Sequence, residues 1–200
     1  GTGTTLRGEL GRTLNHLNKL SGGALIGAAA DLLDSTSVSV LAEGFPAGLY
    51  NAVSNPDARL IAAGGICEDG MSALMTGLSA YGRHIGVGSS YGAFLAALSH
   101  IASRLHGIGQ QMKRSCIDEP YNPWIMINAH AGIKTGEDGP THAAPPPLQL
   151  LQENFPRGVL ITLTPWDTAE MWPLVVAALG RRPAILAPFV TRPKETVPDR

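Results

Sequence analysis

Residues 124–142 read WIMINAHAGIKTGEDGPTH, an unbroken apolar run that empties into a loop of glycine, acid and histidine. The run over 124–128 is the length of a strand rather than a helix, and it lacks the polar alternation of a strand with one wet face. That pattern belongs to a strand covered on both sides, as in a parallel sheet. The loop behind it holds Glu137, Asp138, His130 and His142 among Gly136, Gly139 and Pro140, residues that fix tight turns. In open parallel sheets ligands lie outside the carboxyl ends of the strands, so chemistry-bearing loops should follow the strands.

The same arrangement recurs outward in both directions. Candidate strands cover 24–30, 58–63, 84–87, 159–163 and 184–187. Between them, Leu6, Leu10, Leu14 and Leu17 recur at helical spacing over 4–20, stopping at Gly22 and Gly23. Met71, Leu74, Met75 and Leu78 share a helical face, as do Leu95, Leu98, Ile101 and Leu105, and 169–179 continues the alternation despite Pro173. Residues 107–123 and 143–147 read as loops, because Gly, Pro, Asn and Asp crowd there. The expected fold is α/β, a doubly wound parallel sheet with helices on both faces.

Two hundred residues, 44% hydrophobic and 16% charged, suit one domain over 1–200. Lys and Arg number 15 against 16 Asp and Glu, so no global field draws nucleic acid or an anionic membrane. The apolar runs fall short of the ~20 residues that span a bilayer. Cys67 and Cys116 form neither a Cys-x-x-Cys nor a Cys/His cluster at zinc spacing, which makes a reducing cytoplasm the expected setting and gives no metal ligands. The chain opens Gly1-Thr2-Gly3 and closes in a polar tail over 192–200, and reads as a piece of something longer.

A second constellation is Gly64-Gly65-Ile66-Cys67-Glu68-Asp69-Gly70-Met71, which leads into a helix with Glu68 near its start. An acid there complements the helix dipole whatever else it does. The two constellations together resemble the pyrimidine-binding domain of transketolases. The family's Gly-Ile-x-Glu-x-x-Met is similar to residues 65–71, and its Gly-Glu-Asp-Gly-Pro-Thr-His stands unbroken over 136–142. Its Leu-Ile-Gly-Gly-Ser-Ala-Asp-Leu resembles residues 25–32, with Ser35 at the following serine, and its Arg-Pro-Ala-Asp resembles Thr164-Pro165-Trp166-Asp167, with Glu170 beyond. The resemblance covers roughly 5–192.

The resemblance implies a thiamine-diphosphate enzyme that transfers a two-carbon ketol unit between sugar phosphates. It makes Glu68 the carboxyl on the pyrimidine ring nitrogen and His130 and His142 the imidazoles at the donor sugar. Asp138 matches a reader of a sugar hydroxyl and Asp31 a residue near the cofactor. Ser35, Arg7 and Arg192 match phosphate contacts, the two arginines only across small gaps. Phe94 matches an aromatic that stacks on the pyrimidine, while Ala97 and His100 stand where further aromatics are expected. The chain also departs from the family after His142, where it runs Ala143-Ala144-Pro145, and in about ten extra residues between Ser103 and Trp124.

A Gly-Asp-Gly with a later Asn, the family's hold on diphosphate through Mg2+ or Ca2+, is absent from the sequence. A diphosphate-binding domain, in cis or on a partner subunit of a homodimer or hetero-oligomer, is therefore expected to supply it. Within the cofactor class the alternatives are a deoxyxylulose-phosphate synthase or a 2-oxoacid dehydrogenase. Outside it stand a non-catalytic assembly module and a serine hydrolase. For the last, Gly88-Ser89-Ser90-Tyr91-Gly92 is a Gly-x-Ser-x-Gly in which Ser90 would be the nucleophile and His130 or His142 its base.

Overall fold

Thr5 starts the first helix by accepting the backbone N–H of Gly8 on its side-chain oxygen at 3.0 Å. The helix, α1 (Leu6–Leu20), ends before Gly22 and Gly23, whose φ of 68° and 97° turn the chain into the sheet. The computed structural model describes residues 3–95, 102–143, 148, 151–152 and 154–196.

Five parallel strands follow: β2 (Leu25–Ala29), β3 (Ile85–Tyr91), β4 (Trp124–Ala129), β5 (Leu160–Leu163) and β6 (Ile185–Val190), in the order β2-β3-β4-β6-β5. Alternation along them separates two cores. Leu25, Val87, Ile125, Ile127 and Leu186 pack with α1 and with α4 (Met171–Gly180) through Leu10, Leu14, Met171 and Val175. Met126, Ile185 and Ala187 pack on the opposite side with Met71 and Met75 of α2 (Glu68–Tyr81). On that side α3 (Ala102–Ile117) approaches β6, where His106 bonds the Ala184 carbonyl. Helices cover both faces of one parallel sheet, as the sequence pattern predicts. Pro173 falls in the first turn of α4, where its missing N–H costs nothing.

Several local expectations need correction. Residues 58–63 make no strand: pairing is confined to Leu60, around which Gly27 donates to the Arg59 carbonyl and accepts from the Ile61 N–H. Gly64 and Gly65, at φ of 85° and 157°, then lead the chain away. Most of the expected loop over 107–123 is helix, since α3 runs to Ile117. Gly107 does not break it, because a side chain there would meet the Phe155 ring at 3.1 Å, so the glycine lets the helix sit close to the sheet side. On α2 the buried face is Met71, Ser72, Met75 and Ser79, while Leu74 is exposed. The Ser79 hydroxyl accepts the Gly86 N–H at 2.8 Å, which leucine could not do. Part of the polar tail is paired: β7 (Lys194–Glu195) runs antiparallel to β1 (Thr4–Thr5). Leu98 and Ile101 of the expected helical face lie outside the described residues.

Candidate functional site

The strands deliver their carboxyl ends to one edge of the sheet, and the side chains singled out in the sequence collect there. His130 follows β4 directly, buried and in the left-handed conformation at φ 53°. Such a backbone is costly for a residue with a Cβ and persists where its surroundings hold it. Here they do. Nε2 of His130 lies 2.8 Å from Nη1 of Arg7 and 2.9 Å from the Ser35 carbonyl, while Nδ1 lies 2.6 Å from Oδ2 of Asp138. Arg7 also donates to the Ser35 carbonyl.

Burial holds the His130 imidazole below its ordinary value, against the Ser35 carbonyl and the Asp138 carboxylate, which favour its charged form. A neutral ring cannot satisfy every neighbour at once: Nε2 faces both a donor, the Arg7 guanidinium, and an acceptor, the Ser35 carbonyl, while Nδ1 faces the Asp138 carboxylate. That last contact is close but off-line, so neither atom completes an aligned hydrogen bond. Asp138 is held on its other oxygen by Arg192, which also reaches Glu137 at 2.8 Å. Burial, followed by the Arg192 guanidinium, lowers Arg7 from its ordinary value.

An aromatic group stands beside this cluster. Tyr91, the last residue of β3, stacks on His130 with centroids 4.2 Å apart and rings 20° from parallel, and its hydroxyl donates to Oγ of Ser35 at 3.1 Å. Phe94 stacks on Tyr91 at 5.8 Å, and His142 presents its edge to both rings at 5.7 and 5.6 Å. The turn over 136–142 is two short 3-10 segments, Gly136–Asp138 and Pro140–His142, and Nδ1 of His142 stands 3.2 Å from the Asp138 carbonyl. Phe94 remains 49% exposed, an aromatic face open to a ligand.

Glu68 opens α2 as its first residue, after Cys67 caps the helix with a thiol that accepts the Gly70 N–H at 3.3 Å. The Glu68 carboxylate is half-buried and accepts from the Ser90 hydroxyl at 2.9 Å. This disposes of the nucleophile elbow. Ser90 sits inside β3, opposite Asn128 in the ladder, and no strand-to-helix turn occurs at it. Its hydroxyl is committed to a carboxylate rather than to His130 or His142. Asp31 is exposed and lines a cleft of about 350 Å³ together with Ile61, Gly64, Gly65 and Ile66, the segment that leads to Glu68. His100 and Ala97 lie outside the described residues.

A family model described as the transketolase pyrimidine binding domain matches residues 4–193. The chain belongs to that family. Transketolase 1 and Transketolase 2 of Pasteurella multocida (strain Pm70) are each 31% identical over 117 residues, which is 58% of this chain and 15% of either relative. Among solved structures, transketolase from Leishmania mexicana superposes with a TM-score of 0.77 at 23% identity, covering 97% of this chain and 26% of its own. Transketolase from Campylobacter jejuni gives 0.74 at 23%, covering 100% and 27%. A Pichia stipitis transketolase complex with sedoheptulose-7-phosphate gives 0.77 at 22%, covering 98% and 27%. At these identities the structural likeness speaks for the fold. The chain spans about a quarter of those structures' length.

Within this transketolase pyrimidine-binding domain, Arg7, Ser35, His130, Asp138 and Arg192 form one bonded cluster, with His142 and Phe94 adjoining it through Tyr91. Glu68 joins Ser90 instead. Sequence reasoning missed Tyr91, whose signal was an aromatic at the mouth of a predicted strand, and it set Ser90 and Glu68 in rival schemes although the two touch. Among the described residues no three His, Cys, Asp or Glu side chains converge as metal ligands, and no helix is long and apolar enough to cross a membrane.

Proposed function

We propose that this chain is the pyrimidine-domain half of a thiamine-diphosphate enzyme that transfers a two-carbon ketol unit between sugar phosphates. The observation that carries the reading is the division of labour at the end of β3. Ser90 turns toward α2 and holds Glu68, while Tyr91, one residue on, turns to the opposite face and meets His130 and Ser35.

The donor set suits the cofactor. Glu68 offers a carboxyl to a pyrimidine ring nitrogen, and Phe94 an exposed face for the ring, with Asp31 and, on this reading, His100 nearby. When bound, thiamine diphosphate supplies the acidic thiazolium carbon and the aminopyrimidine base of the reaction. The chain's own contribution is to orient. Arg7, Arg192 and Ser35 offer two cations and a hydroxyl to a sugar phosphate, and Asp138 offers an acceptor to a sugar hydroxyl. His130, which burial favours in its neutral form, and His142 handle protons at the donor's oxygens.

The diphosphate, and the Mg2+ or Ca2+ that neutralises it, belong on this reading to a diphosphate-binding domain in cis or on a partner subunit of a homodimer or hetero-oligomer. Exposed apolar side chains support a covered edge: Leu32 after β2, Phe94 after β3, Ile133 after β4 and Trp166 after β5 all stand on the carboxyl side of the sheet. A cytoplasmic setting accords with two exposed, unpaired cysteines. The test is transfer from a ketose phosphate to an aldose phosphate by the assembly that contains both domains. Thiamine-dependent transfer supports the proposal, and an assembly that binds thiamine diphosphate yet transfers nothing overturns it.

A further inference from the structure

We propose that Tyr91 is a positioning residue of the site: its ring closes one face of His130, holds that imidazole against the cluster around it and keeps water from it. The inference rests on the thiamine reading, in which His130 handles a proton at the donor's oxygens.

The sheet brings the two side chains together. Tyr91 is the last residue of β3 and pairs in register with Ala129, the last of β4, so His130 is one residue beyond its ladder partner. The Gly92 N–H donates to the Ala129 carbonyl at 2.8 Å and carries the pairing past both strand ends. His130 leaves its strand in the left-handed conformation, at φ 53°, and its ring lies nearly flat on the phenol with centroids 4.2 Å apart.

The other neighbours of His130 hold it by its edge. Arg7 of α1, the Ser35 carbonyl after β2 and the Asp138 carboxylate after β4 stand at the two ring nitrogens, with Arg192 after β6 drawn to Asp138. Contacts at the nitrogens leave the plane of an imidazole open to water. Tyr91 covers that plane, and His130 is 1% exposed although it stands at the end of its strand. The phenol is itself fixed: its hydroxyl donates to Oγ of Ser35 at 3.1 Å, and Phe94 and His142 pack against its ring. Ser35 thus meets Tyr91 through its hydroxyl and His130 through its carbonyl, which closes a three-residue ring.

The cover has a chemical consequence. The Ser35 carbonyl and Asp138 favour a proton on His130, Arg7 opposes it, and burial outweighs the first two. Taking the phenol away admits water to one face of the imidazole while every charged neighbour stays. The charged form then loses less by being inside the protein, so His130 should hold its proton to higher pH.

The test uses the assembly containing both thiamine-binding domains, with Tyr91→Ala, Tyr91→Val and Tyr91→Phe. Deuterium exchange at Cε1 of His130, followed against pH by mass spectrometry in the absence of cofactor, reads that imidazole's titration midpoint and its access to solvent together. Tyr91→Ala should raise the midpoint above the parent's and speed exchange several-fold. Tyr91→Phe, which keeps the ring, should hold both at the parent's values. Should Tyr91→Ala fail to fold, Tyr91→Val, which removes the ring but suits a strand, carries the same expectation. A folded variant without the ring that keeps the parent's midpoint and rate overturns the proposal, as does a Tyr91→Phe assembly that behaves like Tyr91→Ala. With cofactor, ketose phosphate and aldose phosphate present, the acid limb of kcat/KM should move to higher pH without the ring and stay in place in Tyr91→Phe. A midpoint that moves while the limb does not leaves the hold of Tyr91 on His130 standing and overturns the place of His130 in the thiamine reading.

Discussion

Nδ1 of His130 and Oδ2 of Asp138 stand 2.6 Å apart, both shut off from water, with Asp138 gripped from its other side by Arg192. The carboxylate thus ties β4's exit to the segment after β6. Asp138→Asn removes the carboxylate charge that pairs with Arg192 and brings an amide N–H₂ into a buried position. The substitution should lower stability by about 1–3 kcal/mol, the cost of a buried donor left unmet. Urea unfolding of the two forms checks this, and equal midpoints with equal slopes would show that the contact adds nothing.

Stability should also fall with acid. Burial lowers both His130 and His106 from the ordinary imidazole value of 6.5, so each takes up a proton more readily in the unfolded chain. Their contribution is whole above about pH 6.5 and is lost as pH falls through their folded values. His106 bonds the carbonyls of Asn122 and Ala184, at 3.1 and 3.2 Å, and lies away from the candidate site. His106→Gln should therefore flatten the decline in urea midpoint between pH 7 and pH 5. A midpoint independent of pH over that interval contradicts the assignment of buried neutral imidazoles.

Two glycines should respond oppositely to alanine. A Cβ on Gly86 would overlap the Met75 carbonyl oxygen and stand 2.8 Å from its carbon, because α2 crosses β3 backbone to backbone there. Gly86→Ala should cost about 1–3 kcal/mol or more. Gly77, within α2, has nothing within 4 Å of such a Cβ, and Gly77→Ala should gain roughly 0.5–1 kcal/mol. Thermal melts of both variants decide the matter, and a neutral Gly86→Ala would mean the helix can move off the strand.

How much of this was legible in the sequence differs from element to element. The run that became β4 announced itself because a strand buried on both faces is apolar throughout. Glu68 was assigned correctly to a helix start, since the glycine turn at Gly64 and Gly65 and the helix that follows it are local. Residues 58–63 look equally apolar but lie along the rim of β2, where pairing is limited to one bridge. The helix over Ala102–Ile117 was hidden by glycines that read as breakers, although Gly107 serves close packing against Phe155. The site's cross-links span the chain: Tyr91 reaches Ser35, and Arg7 reaches His130. No spacing rule exposes such pairs, and only the family resemblance put most of their members on one list.

The apolar rim leads to a prediction about assembly. Trp166 is 88% exposed on the carboxyl side of the sheet, and its ring contributes little to this domain's core. Trp166→Asp should leave the unfolding midpoint within about 0.5 kcal/mol, as surface changes do. It should weaken association with the diphosphate-binding domain, read by sedimentation over a range of concentrations. Unaltered association would remove Trp166 from the interface.

The central claim concerns Glu68. In the assembly with a diphosphate-binding domain, deuterium exchange at the thiazolium carbon of bound thiamine diphosphate should fall by orders of magnitude in Glu68→Ala. The fold should persist, because a single half-buried carboxylate at a helix start contributes little to it. A Glu68→Ala assembly that binds the cofactor and exchanges at the parent's rate would contradict the account.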